Sequence, residues 1–336
     1  MSRYILRRLI QLIPVLLGIS LLVFAFLHLI PGDPAVTMLG DRATPEALEK
    51  LRERMGLNQP LPLQYLSFLG SLLNFDLGTS IFTGVPILDE IKLRWPATFE
   101  LSVIAMLIAL AVGIPAGVIA AVKKNSWIDN LTMSGSLLGV SMPVYWLGLL
   151  LVYLFAVNLQ WLPPSGRIGI NVGYSFEPIT GFFIFDAIVQ GNFSALGDIL
   201  AHLALPAITL STIPLAIIAR ITRSAMLEVL SQDYIRTARS KGLKEMIVIN
   251  KHALKNAMLP VVTIIGLEVG TLLGGAMLTE TIFSWPGSGS WIYGGILQRD
   301  YPIVQGGVVF VAFIFVLVNL LVDISYAFLD PRIQYK

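Results

Sequence analysis

Six apolar runs dominate the chain and leave a water-soluble fold little to be built from. A helix that crosses a bilayer needs about 20 apolar residues, because each residue rises about 1.5 Å through a hydrocarbon core about 30 Å thick. Leu9–Ile30, Leu101–Val122, Ser136–Val157, Ile199–Ala219, Ala257–Thr279 and Val304–Leu329 meet that requirement. Only two acids interrupt them, Glu268 in the fifth run and Asp323 near the end of the sixth. Of 336 residues, 55% are hydrophobic and 13% charged, where a soluble domain carries about a quarter charged residues. The expected fold is therefore an all-α membrane protein with six transmembrane helices. Pro178–Gln190 is apolar but too short to span and carries Asp186, so it reads as an interfacial or re-entrant helix. The first run is longer than a signal-peptide core and lacks a small-x-small cleavage site after it, which predicts an uncleaved anchor.

The placement of Lys and Arg sets the orientation. With the N-terminus inside, the cytoplasmic pieces 1–8, 123–133, 220–256 and 330–336 hold 15 of the 23 basic residues. Most of the others lie in the long segment 31–98, and long segments translocate largely regardless of charge. Both termini are thus expected in the cytoplasm. The chain divides into 1–30 (tail and first helix), an outer segment 31–98, a five-helix core 99–329 with a cytoplasmic loop 220–257, and a tail 330–336.

In the outer segment, Pro45–Met55 and Leu63–Leu73 have helical patterning, separated by the punctuation Gly56-Leu57-Asn58-Gln59-Pro60-Leu61-Pro62. Together they form either a cap on the bundle or a docking surface for an external partner. Later, Trp285-Pro286-Gly287-Ser288-Gly289-Ser290-Trp291 reads as an interfacial anchor at a tight turn. Gly266, Gly270 and Gly274 form a flat stripe on the fifth helix, suited to packing on another span of this chain or on a partner.

Loop 220–257 carries eight basic residues and is patterned as helix, break, helix along the membrane surface. Gly242 is the natural stop. Leu243, Met246, Ile247, Asn250 and Leu254 are predicted to share one face of the second helix, beside a stripe of Lys244, Lys251 and Lys255. Small residues Thr237, Ala238 and Ser240, flanked by Arg236, Arg239 and Lys241, suit a coupling element inserted into a groove on another protein. A loop that simply rests on anionic lipid is the plainer alternative.

The run Asp233-Tyr234-Ile235-Arg236-Thr237-Ala238-Arg239-Ser240-Lys241-Gly242-Leu243, with His252-Ala253-Leu254-Lys255-Asn256-Ala257-Met258-Leu259-Pro260 after it, resembles the coupling motif of ABC importer permeases. Against the family's general Glu-Ala-Ala, three residues, Gly, only Ala238 and Gly242 match, and Leu259-Pro260 arrives late, as in the peptide-transporting branch. Ile5-Leu6-Arg7-Arg8-Leu9, Ile30-Pro31-Gly32-Asp33-Pro34, Asp76-Leu77-Gly78-Thr79-Ser80, Thr279-Glu280-Thr281-Ile282-Phe283-Ser284-Trp285-Pro286-Gly287 and Arg299-Asp300-Tyr301-Pro302 are similar to the B-type permease of dipeptide systems.

The resemblance implies a type I ABC importer permease in the inner (plasma) membrane. It also implies a heterodimer with a second, C-type permease, two cytoplasmic ATPases and a periplasmic substrate-binding protein. Residues Arg236 to Leu243 would meet an ATPase. ATP and Mg would sit on those ATPases, and no cofactor on this chain. The residues agree: no Gly-x-x-x-x-Gly-Lys-Ser/Thr occurs. The net charge of +2 gives no basis for nucleic-acid binding, and the absence of cysteine excludes disulfides and thiolate metal sites. Two other classes are open to such a chain. An ion-coupled secondary transporter of peptides would use Glu268 as a pathway residue. A membrane enzyme finds no support in His28, His202 and His252, which fall on separate segments, although the first two can approach each other at the outer face.

Overall fold

A computed structural model describes residues 2–29, 34–40, 44–54 and 56–329; side chains at 2–9, 27, 34, 37, 38, 54, 275 and 323–329 are outside the description. The Ile30-Pro31-Gly32-Asp33 turn, the Asp323 side chain and the tail 330–336 therefore lie outside the described residues. The described residues are helical apart from turns and one isolated bridge, Thr79 to Pro86.

We label the main helices α1 (Ser2–Leu29), α2 (Pro45–Arg54), α3 (Leu61–Leu73), α4 (Ile87–Val122), α5 (Trp127–Ser141), α6 (Val144–Asn158), α7 (Phe183–Val189), α8 (Phe193–Leu230), α9 (Asp233–Ser240), α10 (Glu245–Gly274), α11 (Met277–Ile282), α12 (Ser288–Gln298) and α13 (Tyr301–Leu329). α4, α8, α10 and α13 are each long and apolar enough to cross a membrane, and α5 with α6 makes a fifth candidate.

Helices α2 and α3 fall where the outer segment predicts them. α3 packs on α1 through Tyr65 and Phe68, which meet the Phe24 ring. His28 bonds Gln64 at 3.1 Å, while His202 bonds the Asp198 carbonyl at 2.9 Å. The two histidines are thus engaged in separate contacts, and no group of three His, Cys, Asp or Glu among the described residues is placed to hold a metal.

Several boundaries differ from the sequence expectation. The helix that carries the second run starts well before Leu101: α4 begins at Ile87, just after Pro86, with Asp89 and Glu90 in its first turn. Prolines are favoured at helix starts and acids are stabilised there by the helix dipole. The third run is not one straight helix. It breaks at Met142-Pro143, and α5 and α6 meet at 104°, because proline cannot donate the backbone bond that would carry the helix on.

Within segment 220–257 the helices run on from the apolar runs without interruption: α8 continues to Leu230, and α10 already begins at Glu245. Its first part is a π-helical stretch, Val248–Leu254, where hydrogen bonds span five residues. Spacing on the inward face widens accordingly. Val248 and Ala253 are buried, whereas Leu243, Met246 and Ile247, predicted to share an apolar face, are exposed.

The core is centred on α4 and α8. Gly113 and Gly117 let α4 approach the α8 backbone: a Cβ at Gly113 would lie 3.0 Å from the Leu215 carbonyl, and one at Gly117 would overlap Ala219 and Thr222. Close backbone approach at small residues is how membrane helices gain packing energy without help from water. Leu101, Ala105 and Ala109 of α4, Leu203 and Ala207 of α8, and Trp285 complete this core.

Three buried polar clusters hold the ends of the bundle. Arg167 donates to Glu100 at 2.5 Å and to the Gly181 carbonyl at 2.7 Å, and lies 3.6 Å from the Phe183 ring centre. Asp300 accepts from Ser80 Oγ at 2.6 Å and from the Ile81 amide at 2.9 Å. Arg223 of α8 forks onto Asp129 of α5 at 2.5 and 2.7 Å, fixing the helix before the 104° bend.

Candidate functional site

The segment expected to act as a coupling element is α9, eight residues long and bounded on both sides by breaks. Gln232 is extended at its N-cap, and Gly242 follows its end with φ of 74°. Only glycine adopts that left-handed conformation without strain. Inside α9, Thr237 Oγ1 bonds the Asp233 carbonyl and Ser240 Oγ the Arg236 carbonyl, both at 3.0 Å. Both hydroxyls are thus satisfied within the helix.

One face of α9 points inward. Ile235 and Ala238 are buried against Met226 of α8 and Val248, Ala253 and Ala257 of α10. The sequence reading gave Ala238 to the outward, partner-facing surface; the structure turns it onto the chain's own bundle. Helical geometry explains this, since Ile235 and Ala238 are three apart and share a face. The outward surface consists of Arg236, Thr237, Arg239, Ser240, Lys241, Gly242 and Leu243, all exposed.

The basic groups on that surface are not equivalent. Arg236 reaches Asp233 at 3.4 Å with both groups largely in water, a pair of little energetic weight. Arg239 forks onto Glu245 across the Gly242 break, at 2.7 and 3.2 Å. That hydrogen-bonded carboxylate raises the Arg239 pKa. Lys241 and Lys244 form no ion pair among the described residues. A second tie joins α9 to α10, from Asn256 Nδ2 to Tyr234 Oη at 2.9 Å. Beside this element an apolar groove of about 390 Å³ runs between the end of α4 and the start of α10, lined by Val118, Val122, Met246, Ile249 and Leu254 among others.

Glu268 sits half-buried on α10 and has no hydrogen-bond or ionic partner among the described residues. The glycine stripe divides. A Cβ at Gly266 would overlap Val322, and one at Gly270 would meet Phe315 at 2.9 Å, so both pack on α13 of this same chain. Gly274 has nothing within 4 Å of that position.

Sequence reasoning treated Glu268 as the only deep acid and missed Glu280. Glu280 is completely buried. It accepts from Thr98 Oγ1 at 2.6 Å and from the Ser290 amide at 2.7 Å. Thr98 Oγ1 in turn accepts the Ser288 amide at 2.8 Å. The carboxylate therefore caps the start of α12 and ties it to α4. Burial pushes its pKa above the usual carboxylate value, and its hydrogen bonds pull the other way without cancelling the rise.

A Cβ on Gly287 would collide with the Glu280 carboxyl group, and one on Gly289 would lie 2.8 Å from the Met277 Cα. These glycines are there to admit an acid. Trp285 and Trp291, expected at the interface, are buried, and Trp285 Nε1 donates to the Ala97 carbonyl at 3.0 Å. A satisfied indole N–H removes the cost of placing tryptophan in the core. Thr98, Ser288, Glu280 and Gly274 line a cavity of about 170 Å³ at this end of the bundle. The available signal was an acid followed by glycines seven and nine residues later.

Residues 113–335 match the family described as the binding-protein-dependent transport system inner membrane component, and residues 1–102 match its N-terminal companion. The dipeptide transport system permease proteins DppB of Alkalihalophilus pseudofirmus and Escherichia coli are each 52% identical over all of both chains. A protein of Pseudomonas aeruginosa named as a di/tripeptide transport system permease DppB is 50% identical, again end to end. An apolar helical bundle with a short basic helix fastened beneath it thus finds its place: the chain belongs to the binding-protein-dependent transport system inner membrane component family.

Proposed function

We infer that the chain is the membrane-embedded permease subunit of an ATP-driven ABC importer that carries dipeptides or short peptides across the inner membrane. It is a transport component and not an enzyme. Six spans with both termini in the cytoplasm are the finer topology we propose: α1, α4, the bent pair α5–α6, α8, α10 and α13. That arrangement puts α9 on the cytoplasmic side and the Glu280 cluster on the outer side.

The observation that carries this reading is α9 itself. It is a short basic helix whose inner face is anchored in the bundle and whose outer face is bare, in a chain that has no nucleotide-binding motif of its own. A lever of this kind is useful only if a second protein pushes it. We propose that one of two cytoplasmic ATPases engages Arg236, Thr237, Ser240, Lys241, Gly242 and Leu243, with Ala238 anchoring the helix from behind and Arg239 tied to Glu245. A homologous second permease completes the passage, and a periplasmic binding protein delivers the peptide. ATP and Mg belong to the ATPases.

On closure of the ATPases, α9 would shift and carry α10 with it, moving the spans between inward-facing and outward-facing arrangements. The experiment is affinity purification of the tagged chain from membranes. Recovery of a second permease and two ATPases supports the reading, and a chain that transports alone refutes it. Glu268, unpartnered on α10, keeps ion-coupled peptide transport as the alternative. Collapse of uptake under an uncoupler with ATP intact would favour it.

A further inference from the structure

We propose that Arg239 and Glu245 are positioning residues that brace the Gly242 break, so that α9 and α10 move as one piece instead of hinging there. The inference rests on the permease reading and concerns how force would pass through it. Gly242 is the weak point of the lever. Its φ is 74°, and nothing lies within 4 Å of where a Cβ would stand. Arg239 and Glu245 stand three residues to either side of it and close the gap with two hydrogen bonds.

A fork of this kind fixes orientation as well as distance, because both guanidinium donors must meet one carboxylate. The Tyr234–Asn256 bond and the burial of Ile235 and Ala238 on Val248 and Ala253 hold the other end of α9 to the same helix. Three attachments spread along α9, at Tyr234, at Ile235 with Ala238, and at Arg239, oppose its swinging about Gly242.

The same geometry bears on the outward surface. In this arrangement the Arg239 guanidinium is committed within the chain, whereas Lys241 and Lys244 form no ion pair among the described residues. A partner's carboxylates would then find lysines, and Arg239 would serve from behind. Both members of the fork are partly in water, 43% and 52% exposed. Such pairs bias a two-state equilibrium by about two- to fivefold, which sets the size of effect to expect.

The test uses the whole complex in proteoliposomes and compares wild type, Arg239→Glu, Glu245→Arg and the exchanged pair. Three quantities are read: ATPase subunits recovered with the tagged chain, ATP hydrolysed, and labelled dipeptide imported per ATP. The expected result for each single variant is full recovery of the ATPases and continued hydrolysis, with import per ATP falling about two- to fivefold. The exchanged pair is expected to restore it.

If Arg239→Glu sheds the ATPases and the exchange does not bring them back, Arg239 is a partner contact and the brace is wrong. Unchanged import per ATP in both single variants would overturn it equally. Failure to recover ATPases with the wild-type chain would instead remove the permease reading, and this inference with it.

Discussion

Replacing Thr98 by valine isolates the hydrogen-bond relay between α4, α11 and α12. Valine keeps the side-chain shape and removes only the hydroxyl that joins Glu280 to the Ser288 amide. Thr98, Glu280 and Ser288 are all buried. Loss of a donor to a buried acidic group costs about 1.5–3 kcal/mol, and an orphaned buried amide about 1–3 kcal/mol. The adjoining cavity of about 170 Å³ has a largely apolar wall with Thr98, Glu280 and Ser288 at one side, so a water bonded to those groups recovers only part of this. A net loss of about 2–4 kcal/mol remains. Thr98→Ser keeps the hydroxyl and gives up one methyl group, at about 1 kcal/mol. Thermal unfolding of the detergent-solubilised complex, followed by tryptophan fluorescence, should put the valine variant about 5 °C or more below wild type, with serine close to wild type. Equal losses for valine and serine would mean that the cluster is held by packing and that the relay is incidental.

Other expectations follow from the same structure. The raised pKa of Glu280 means that its ionisation costs the folded state free energy: the contribution is fully favourable below the usual carboxylate pKa and is lost as pH climbs through the raised value. Wild type should therefore lose stability relative to Glu280→Gln as pH rises above about 4.5, and a gap in unfolding temperature that does not change with pH would contradict this. Gly266→Ala should destabilise the α10–α13 packing, whereas Gly274→Ala, with no atom within 4 Å to meet, should be near neutral in the same assay. Gly242→Glu puts a side chain where the backbone is left-handed, at about 1–2 kcal/mol of local strain, and a like-for-like charge conflict beside Glu245. It should leave membrane insertion intact and abolish ATPase association and transport, as read by fractionation and pull-down.

What could be read in the sequence was whatever depends on composition over about 20 residues or on a single backbone requirement. The cores of α4, α8, α10 and α13 were visible as apolar runs, and the end of α9 was visible in Gly242. Local helices in the outer segment were visible in Pro45 and in the apolar spacing of Leu63–Leu73. The misses share a physical cause: they depend on contacts between distant residues or on a local change of period. A 3.6-residue pattern does not anticipate the π-helical stretch Val248–Leu254, so it did not single out Val248 and Ala253 as the buried positions. Apolarity alone cannot distinguish a straight span from one folded through 104° at Pro143. Nothing local marks Glu280 for burial, because the donors that justify it, Thr98 and Ser290, come from different parts of the chain. Glu100 met the same fate; its partner Arg167 is far along the sequence.

The central claim is that this chain supplies a passage and a lever while another subunit supplies the energy. The most direct measurement is uptake of labelled dipeptide by vesicles, comparing this polypeptide alone with the polypeptide plus second permease, both ATPases, binding protein and internal or external ATP as orientation requires. Uptake against a gradient only in the complete, ATP-supplied vesicles is the predicted result. Accumulation by the lone polypeptide, driven by an ion gradient and indifferent to ATP, would contradict it.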